Sequence, residues 1–89
     1  MDMALQMTMK ALADPINRQI LELLKSGSLP AGEIASHFPV TASSISMHLA
    51  ALKKAGLVRC IRHGKYLYYE LNETVFEEVL AWISSFGRR

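Results

Sequence analysis

The feature that most constrains this chain is a helix pattern that stops at a glycine and passes straight into a hairpin pattern, over residues 40–71. Thr41 is of the type that caps a helix N-terminus, and Gly56 is of the type found just past a helix end. Between them Ile45, Leu49 and Leu52 recur at i, i+4 and i+7, so they share one face at 100° per residue. Ser43, Met47, Ala50 and Lys54 fall on the opposite face. That outer face is small, polar or flexible at its start and cationic at its end, with no carboxylate. A helix that only covers a core normally carries Glu and Lys on its outer side. A slim face without acids is what a helix lying against DNA requires.

Two β-prone runs follow, Leu57 to Arg62 and Tyr66 to Leu71, separated by His63-Gly64-Lys65 with glycine at the centre of the turn. The tip carries Arg62, His63 and Lys65, and no acid occurs until Glu70. A helix-turn-helix followed by a basic-tipped hairpin is a winged helix. Its helix is sized for the major groove, and its wing can reach a neighbouring phosphate strand or the minor groove.

The remainder of the chain supplies a support for this segment. Residues 3–13 are apolar at most positions, with Leu5, Met9 and Leu12 on one face, so this first helix must be covered on several sides. Asp14 suits an N-cap and Pro15 the first helical position of a second helix, with Ile16, Ile20, Leu23 and Leu24 inward. Arg18 lies off that stripe, as a solvated cation or a phosphate anchor. A loop at Ser28-Leu29-Pro30 leads to a helix of about two turns from Ala31 to Phe38, with Ile34, Ala35 and Phe38 inward. Pro39 then forces a turn before the longer helix, which completes the helix-turn-helix. Asn72 can cap a last helix from Glu73 to Phe86.

In that last helix Val75, Val79, Trp82, Ile83 and Phe86 share a face, which Phe76 and Leu80 widen. One small domain has too little core to cover all of it. Ordinary core packing is one reading. The other, which we adopt as the expectation, is homodimerisation through the first and last helices, using Leu5, Met9, Val75, Val79, Trp82, Ile83 and Phe86. A twofold dimer would set two recognition helices roughly 34 Å apart, on a palindromic operator.

Length and composition agree. Eighty-nine residues make a single domain, residues 1–89. The hydrophobic share of 51% is high for a monomer of this size and is consistent with a subunit interface. Net charge is only +2, but residues 41–71 carry five Lys and Arg against one Glu, while the flanking segments are each net −1. The cationic charge therefore gathers on the helix and hairpin, as phosphate contact requires. The start of the chain has neither the basic nor the continuous apolar region of a signal peptide, and no apolar run is long enough to span a bilayer. A lone cysteine, Cys60, excludes an intrachain disulfide and fits a reducing, cytoplasmic setting.

These residues carry a family resemblance. Residues 11–21, reading Ala-Leu-Ala-Asp-Pro-Ile-Asn-Arg-Gln-Ile-Leu, resemble the "ALADPTRRxIL" opening of the ArsR/SmtB family of bacterial repressors. Glu33-Ile34-Ala35 is similar to that family's "ELA". Ser44 to Leu49, then Leu52 to Val58, resemble "SxHLxxLxxAGLV", and Gly64 to Asn72 resemble its wing, "GRxxxYxLN". The resemblance runs unbroken from about residue 9 to residue 86. It implies a mainly α winged helix-turn-helix protein of about five helices plus a two-stranded wing. It also implies a homodimeric transcriptional repressor that contacts double-stranded DNA. Carried over by position, the DNA contacts would come from Thr41, Ala42, Ser43, Ser44, Ser46, Met47 and His48, with Arg62, His63 and Lys65 on the wing. Ala42 stands where relatives often have Gln, and Met47 where many have Arg, Gln or His, so two base-reading groups are missing. Specificity is then expected to lean on thymine-methyl contacts and DNA shape.

Many proteins of that family are metal sensors, but the ligand types are missing here. The third helix has no cysteine, the last helix has no histidine, and His37, His48 and His63 lie in three separate elements. We expect no metal and no cofactor, and no small-molecule substrate is evident. Cys60 lies between Arg59 and Arg62 in sequence, but without a second thiol it reads as a small apolar residue of the sheet. The layout resembles the metal-independent autorepressors found beside toxin-immunity genes, in which a membrane partner relieves repression by holding the repressor. An enzyme is not expected: Ser44 and His48 are i, i+4 on one helix, but no placed acid or oxyanion loop completes a site. Two further readings stay open, a winged helix for protein–protein contact and a non-specific architectural DNA binder.

Overall fold

The computed structural model describes residues 3–87. Five helices and a three-stranded antiparallel sheet follow in the order α1 (Met3–Leu12), α2 (Pro15–Leu23, continued by a 3-10 turn Leu24–Ser26), β1 (Leu29–Pro30), α3 (Ala31–Ala35), α4 (Ala42–Lys54), β2 (Val58–His63), β3 (Tyr66–Leu71) and α5 (Glu73–Gly87). The sheet order is β1-β3-β2.

Local chemistry fixes most of these boundaries. Asp14 caps α2, its Oδ1 accepting from Ile16 N at 2.8 Å and Asn17 N at 3.1 Å, with Pro15 at the first helical position. A carboxylate there also meets the positive end of the helix dipole. Thr41 Oγ1 accepts from Ser44 N at 3.1 Å and starts α4. At the other end Leu57 N donates to Leu52 O and Gly56 N to Lys53 O, both at 3.0 Å, with Gly56 at φ +80°. This is the paired closure in which a left-handed glycine reverses the chain. Leu52 and Leu57, brought together by it, are both fully buried, so the stop signal is also a packing contact. They join Ile20, Ile34, Ile45 and Leu49 at the centre of the core, where helices α2, α3 and α4 meet the base of the wing.

Four local expectations are corrected. The helix predicted over Ala31 to Phe38 closes at Ala35; His37 N and Phe38 N continue only as i→i−3 turns, ahead of Pro39. The segment predicted as a loop at Ser28-Leu29-Pro30 contains a strand, because Leu29 pairs with Tyr69 and Pro30 with Tyr68. The wing hairpin thus gains a third strand at its base. Its turn is shorter than predicted: His63 still pairs with Tyr66, leaving Gly64 (φ +62°) and Lys65 as the two-residue tip. Asn72 precedes α5 as expected, but its side chain turns back, Nδ2 donating to Gly56 O at 3.0 Å.

The molecule is longer than its chain length requires. It measures 48 × 24 × 23 Å with a radius of gyration of 13.8 Å, against about 12 Å for a compact domain of this length. In the C-terminal half of α5, Leu80, Ile83 and Phe86 are uncovered while Val79, earlier in the same helix, is buried.

Candidate nucleic-acid interface

The outward surface of α4 is as slim as its sequence predicts. Ala42, Ser43, Ser46, Met47 and Ala50 are all exposed, Met47 by 73%. Its first turn carries no acid, and Lys53 and Lys54 occupy its last turn. The cations there complement the negative end of the helix dipole, and nothing along the outer face repels phosphate. Thr41 is exposed as well; its oxygen accepts from Ser44 N, leaving the hydroxyl hydrogen to donate outward.

His48, expected among the DNA contacts, has one ring nitrogen engaged within the protomer. Its ring is half-buried and turned towards α2, with Nδ1 2.8 Å from Asn17 Oδ1 and 3.7 Å from Asp14 Oδ1. Ser44, one turn earlier, is half-buried too. The helical wheel explains both, since residues 44 and 48 flank the Ile45–Leu49–Leu52 stripe on the side that α2 covers.

On the wing Arg62, His63 and Lys65 are all exposed. His63 packs edge-on against Tyr68, with ring centroids 5.4 Å apart, and Lys65 Nζ stands 5.5 Å from the ring centroid of Tyr66. Further down the hairpin, Arg59 reaches Glu70 Oε2 through Nε at 3.1 Å and Nη2 at 3.0 Å. The only acid of residues 41–71 is thereby engaged by a neighbouring arginine, and among the described residues no carboxylate pairs with the cations at the tip. Cys60 pairs across the ladder with Tyr69. Burial, and then the hydrogen bond and charge of Cys60, hold the Tyr69 hydroxyl above the ordinary tyrosine pKa.

The residues expected at a subunit interface divide into two groups. Leu5, Val75, Val79 and Trp82 line a cleft between α1, the end of α4 and α5 within the protomer, and Val79 is buried there. Met9 is half-buried on α1. Ile83 and Phe86 instead stand exposed, Phe86 by 69%, with Leu80 beside them. Trp82 bridges the groups, its ring edge-on to Phe86 at 5.0 Å. The apolar face of α5 is thus half-buried or buried at Val75, Val79 and Trp82 and exposed at Leu80, Ile83 and Phe86.

Three features escaped the sequence reading. Asn17 is buried in line with Ile20, Leu21 and Leu24, where a polar residue on an apolar stripe was the available signal. Thr8 sits at the buried centre of α1 for the same kind of reason, its one hydroxyl hydrogen placed between Ala4 O at 3.0 Å and Ala55 O at 2.9 Å. Arg18 is exposed, as a solvated cation is, and the unforeseen feature is that its Nη1 donates to Leu12 O at 2.7 Å, at the end of α1. Among the described residues, no three His, Cys, Asp or Glu side chains gather as a metal site would require.

Comparison with known proteins decides the family. Residues 14–59, from the cap of α2 into β2, match the family described as bacterial regulatory protein, arsR family. The chain belongs to the arsR family. It is therefore a transcriptional regulator built on a winged helix-turn-helix. Among its arsR relatives is the transcriptional repressor SdpR of Bacillus subtilis (strain 168), 46% identical over 77 residues that make up 86% of each chain. Solved arsR-type structures superpose closely. A possible transcriptional regulator for arsenical resistance gives a TM-score of 0.82 at 34% identity, over 92% of this chain and 85% of that one. A homodimeric winged helix-turn-helix DNA-binding domain from Mycobacterium bovis gives 0.78 at 30% identity, over 94% and 78%.

Proposed function

We propose that this arsR-family chain is a sequence-specific repressor that binds a palindromic operator as a homodimer, α4 lying in the major groove and the wing against the backbone. The observation that carries this reading is the exposed, acid-free face of α4 joined directly to a wing tip whose cations pair with no carboxylate among the described residues. DNA-contacting side chains on this reading are Thr41, Ala42, Ser43, Ser46 and Met47 on the helix, with Arg62, His63 and Lys65 on the wing. Ser44 and His48 contribute from the flank. Ala42 and Met47 offer methyl surface to thymine, while the serines bond bases or phosphates.

The homodimer forms through the overhanging end of α5, where Leu80, Ile83 and Phe86 leave apolar surface that one protomer does not cover. Similarity to a homodimeric DNA-binding domain supports it. The dimer acts in the cytoplasm on its own operon and without a metal ligand, a view supported by the lack of cysteine in α3 and of histidine in α5. Relief of repression by a sequestering membrane protein belongs to the same proposal and rests on family resemblance alone. No helix among the described residues is long and apolar enough to cross a membrane.

Footprinting on the DNA upstream of the gene tests the reading. Two protected half-sites related by a dyad, centred about one helical turn apart, are expected. Protection without symmetry or sequence preference would favour an architectural binder, and no protection would favour a protein-interaction module.

A further inference from the structure

Asn17 is 4% exposed, and its amide makes two hydrogen bonds to two different helices. Nδ2 donates to Ala11 O, in the last turn of α1, at 3.0 Å. Oδ1 lies 2.8 Å from His48 Nδ1 on α4. A backbone carbonyl can only accept, so the NH2 end of the amide must face Ala11 and the oxygen must face His48. An amide oxygen can also only accept. His48 Nδ1 therefore carries a hydrogen, and the neutral ring keeps its lone pair on Nε2. The other oxygen beside Nδ1, Asp14 Oδ1 at 3.7 Å, favours the same arrangement.

Nε2 is left for something else. No described residue bonds it, and among the described residues no buried side-chain nitrogen or oxygen lacks a partner, so Nε2 must reach solvent. It does so on the helix that carries the exposed Met47 one residue earlier.

We propose that Asn17 is a positioning residue for DNA recognition, locking His48 as the Nδ1–H tautomer so that Nε2 presents a hydrogen-bond acceptor at the DNA-reading helix. This rests on the DNA-binding reading above. In the major groove an acceptor is matched by the exocyclic amines of cytosine and adenine, directly or through a water, and not by guanine O6 or N7. The same amide ties α4 to α1, so the helix that reads DNA is held in register with the end of the first helix.

Long-range nitrogen–proton NMR of the histidine rings in the free, full-length protein tests the lock without DNA. His48 should show the Nδ1–H pattern, and Asn17→Leu should release it towards the Nε2–H form. A wild-type ring already in the Nε2–H form, or one unaffected by Asn17→Leu, would overturn the assignment. Should Asn17→Leu fail to fold, the wild-type spectrum alone still decides. A binding cycle supplies the second arm. Asn17→Ala and His48→Ala should each reduce the operator-over-scrambled preference by about tenfold. The double variant should lose no more than the worse single, whereas Asn17→Ala and Arg62→Ala should combine multiplicatively. Fully multiplicative losses for Asn17 and His48 would overturn positioning through the histidine. A wild-type protein with no operator preference would instead overturn the DNA reading, and with it the role assigned to Nε2, while the tautomer result would stand apart.

Discussion

The hydroxyl of Thr8 donates to the carbonyl of Ala55 at 2.9 Å, a buried bond between α1 and the residue that closes α4, 47 positions along the chain. Ala55 is the C-cap of the recognition helix, where carbonyls lack partners within the helix. With the Ala11–Asn17–His48 chain of bonds, it fastens α4 to α1 at two separated points. Removing the donor leaves a buried carbonyl unsatisfied. Thr8→Val, which keeps the shape, should cost about 1–3 kcal/mol in urea denaturation, and Thr8→Ser should cost less. Equal stability of Thr8→Val and wild type would show that water replaces the hydroxyl freely.

The overhang of α5 gives a prediction about assembly. Ile83 and Phe86 are exposed in the protomer, so charge there need not disturb its core. Ile83→Asp and Phe86→Asp should move the protein towards monomer in sedimentation experiments under dilution. Val79→Ala, at a position already buried, should act on folding stability first. Aspartate variants that remain as dimeric as wild type would place the interface elsewhere.

The contrast between these residues shows what was legible in the sequence. Thr41, Gly56 and the Ile45–Leu49–Leu52 stripe marked α4 because caps and periodicity are local properties of a chain. The basic hairpin tip was equally legible from Arg62 to Lys65. The split of the α5 face was not, because periodicity assigns a residue to a face but not the point where a neighbouring helix stops covering it. β1 was missed for a similar reason: two residues become a strand only because Tyr68 and Tyr69 arrive beside them. His48 was placed on the correct helix, but its bond to α2 was not foreseen, since only the position of Asn17 reveals which side of α4 is occupied. Thr8 and Asn17 looked like polar interruptions and are instead the bonds between helices.

Tyr69 predicts an alkaline limit to stability. Burial chiefly, with the Cys60 contact second, raises its pKa in the folded state above the ordinary value of about 10. The folded protein then holds this proton longer than the unfolded chain does. Stability should be unaffected by Tyr69 below about pH 10 and fall as pH rises from there through the folded-state value. Tyr69→Phe should flatten that fall and remove a late-titrating component from the phenolate absorbance of wild type. Cys60→Ala should bring it part of the way back, since burial remains. A Tyr69 that titrates at the ordinary tyrosine value would contradict the packing described here.

The wing makes an electrostatic prediction that is independent of base reading. Arg62 and Lys65 are exposed, and among the described residues no carboxylate pairs with either, so on the proposed reading their part in binding is phosphate contact. Arg62→Ala with Lys65→Ala should weaken operator and scrambled DNA about equally and reduce the salt slope of log K by roughly one to two units. Glu70→Gln, which frees Arg59, should change folding stability by at most about 1 kcal/mol, as exposed pairs do. An unchanged salt slope in the double alanine variant would remove the wing from the interface.

The measurement that bears most directly on the whole account is fluorescence anisotropy with the DNA upstream of the gene and a scrambled duplex of equal length, each titrated across a range of salt. The account predicts one dimer per site and a preference of roughly a thousandfold or more for the upstream DNA, with both affinities falling steeply as salt rises. Equal affinity for the two duplexes at every salt concentration would contradict sequence-specific recognition by α4.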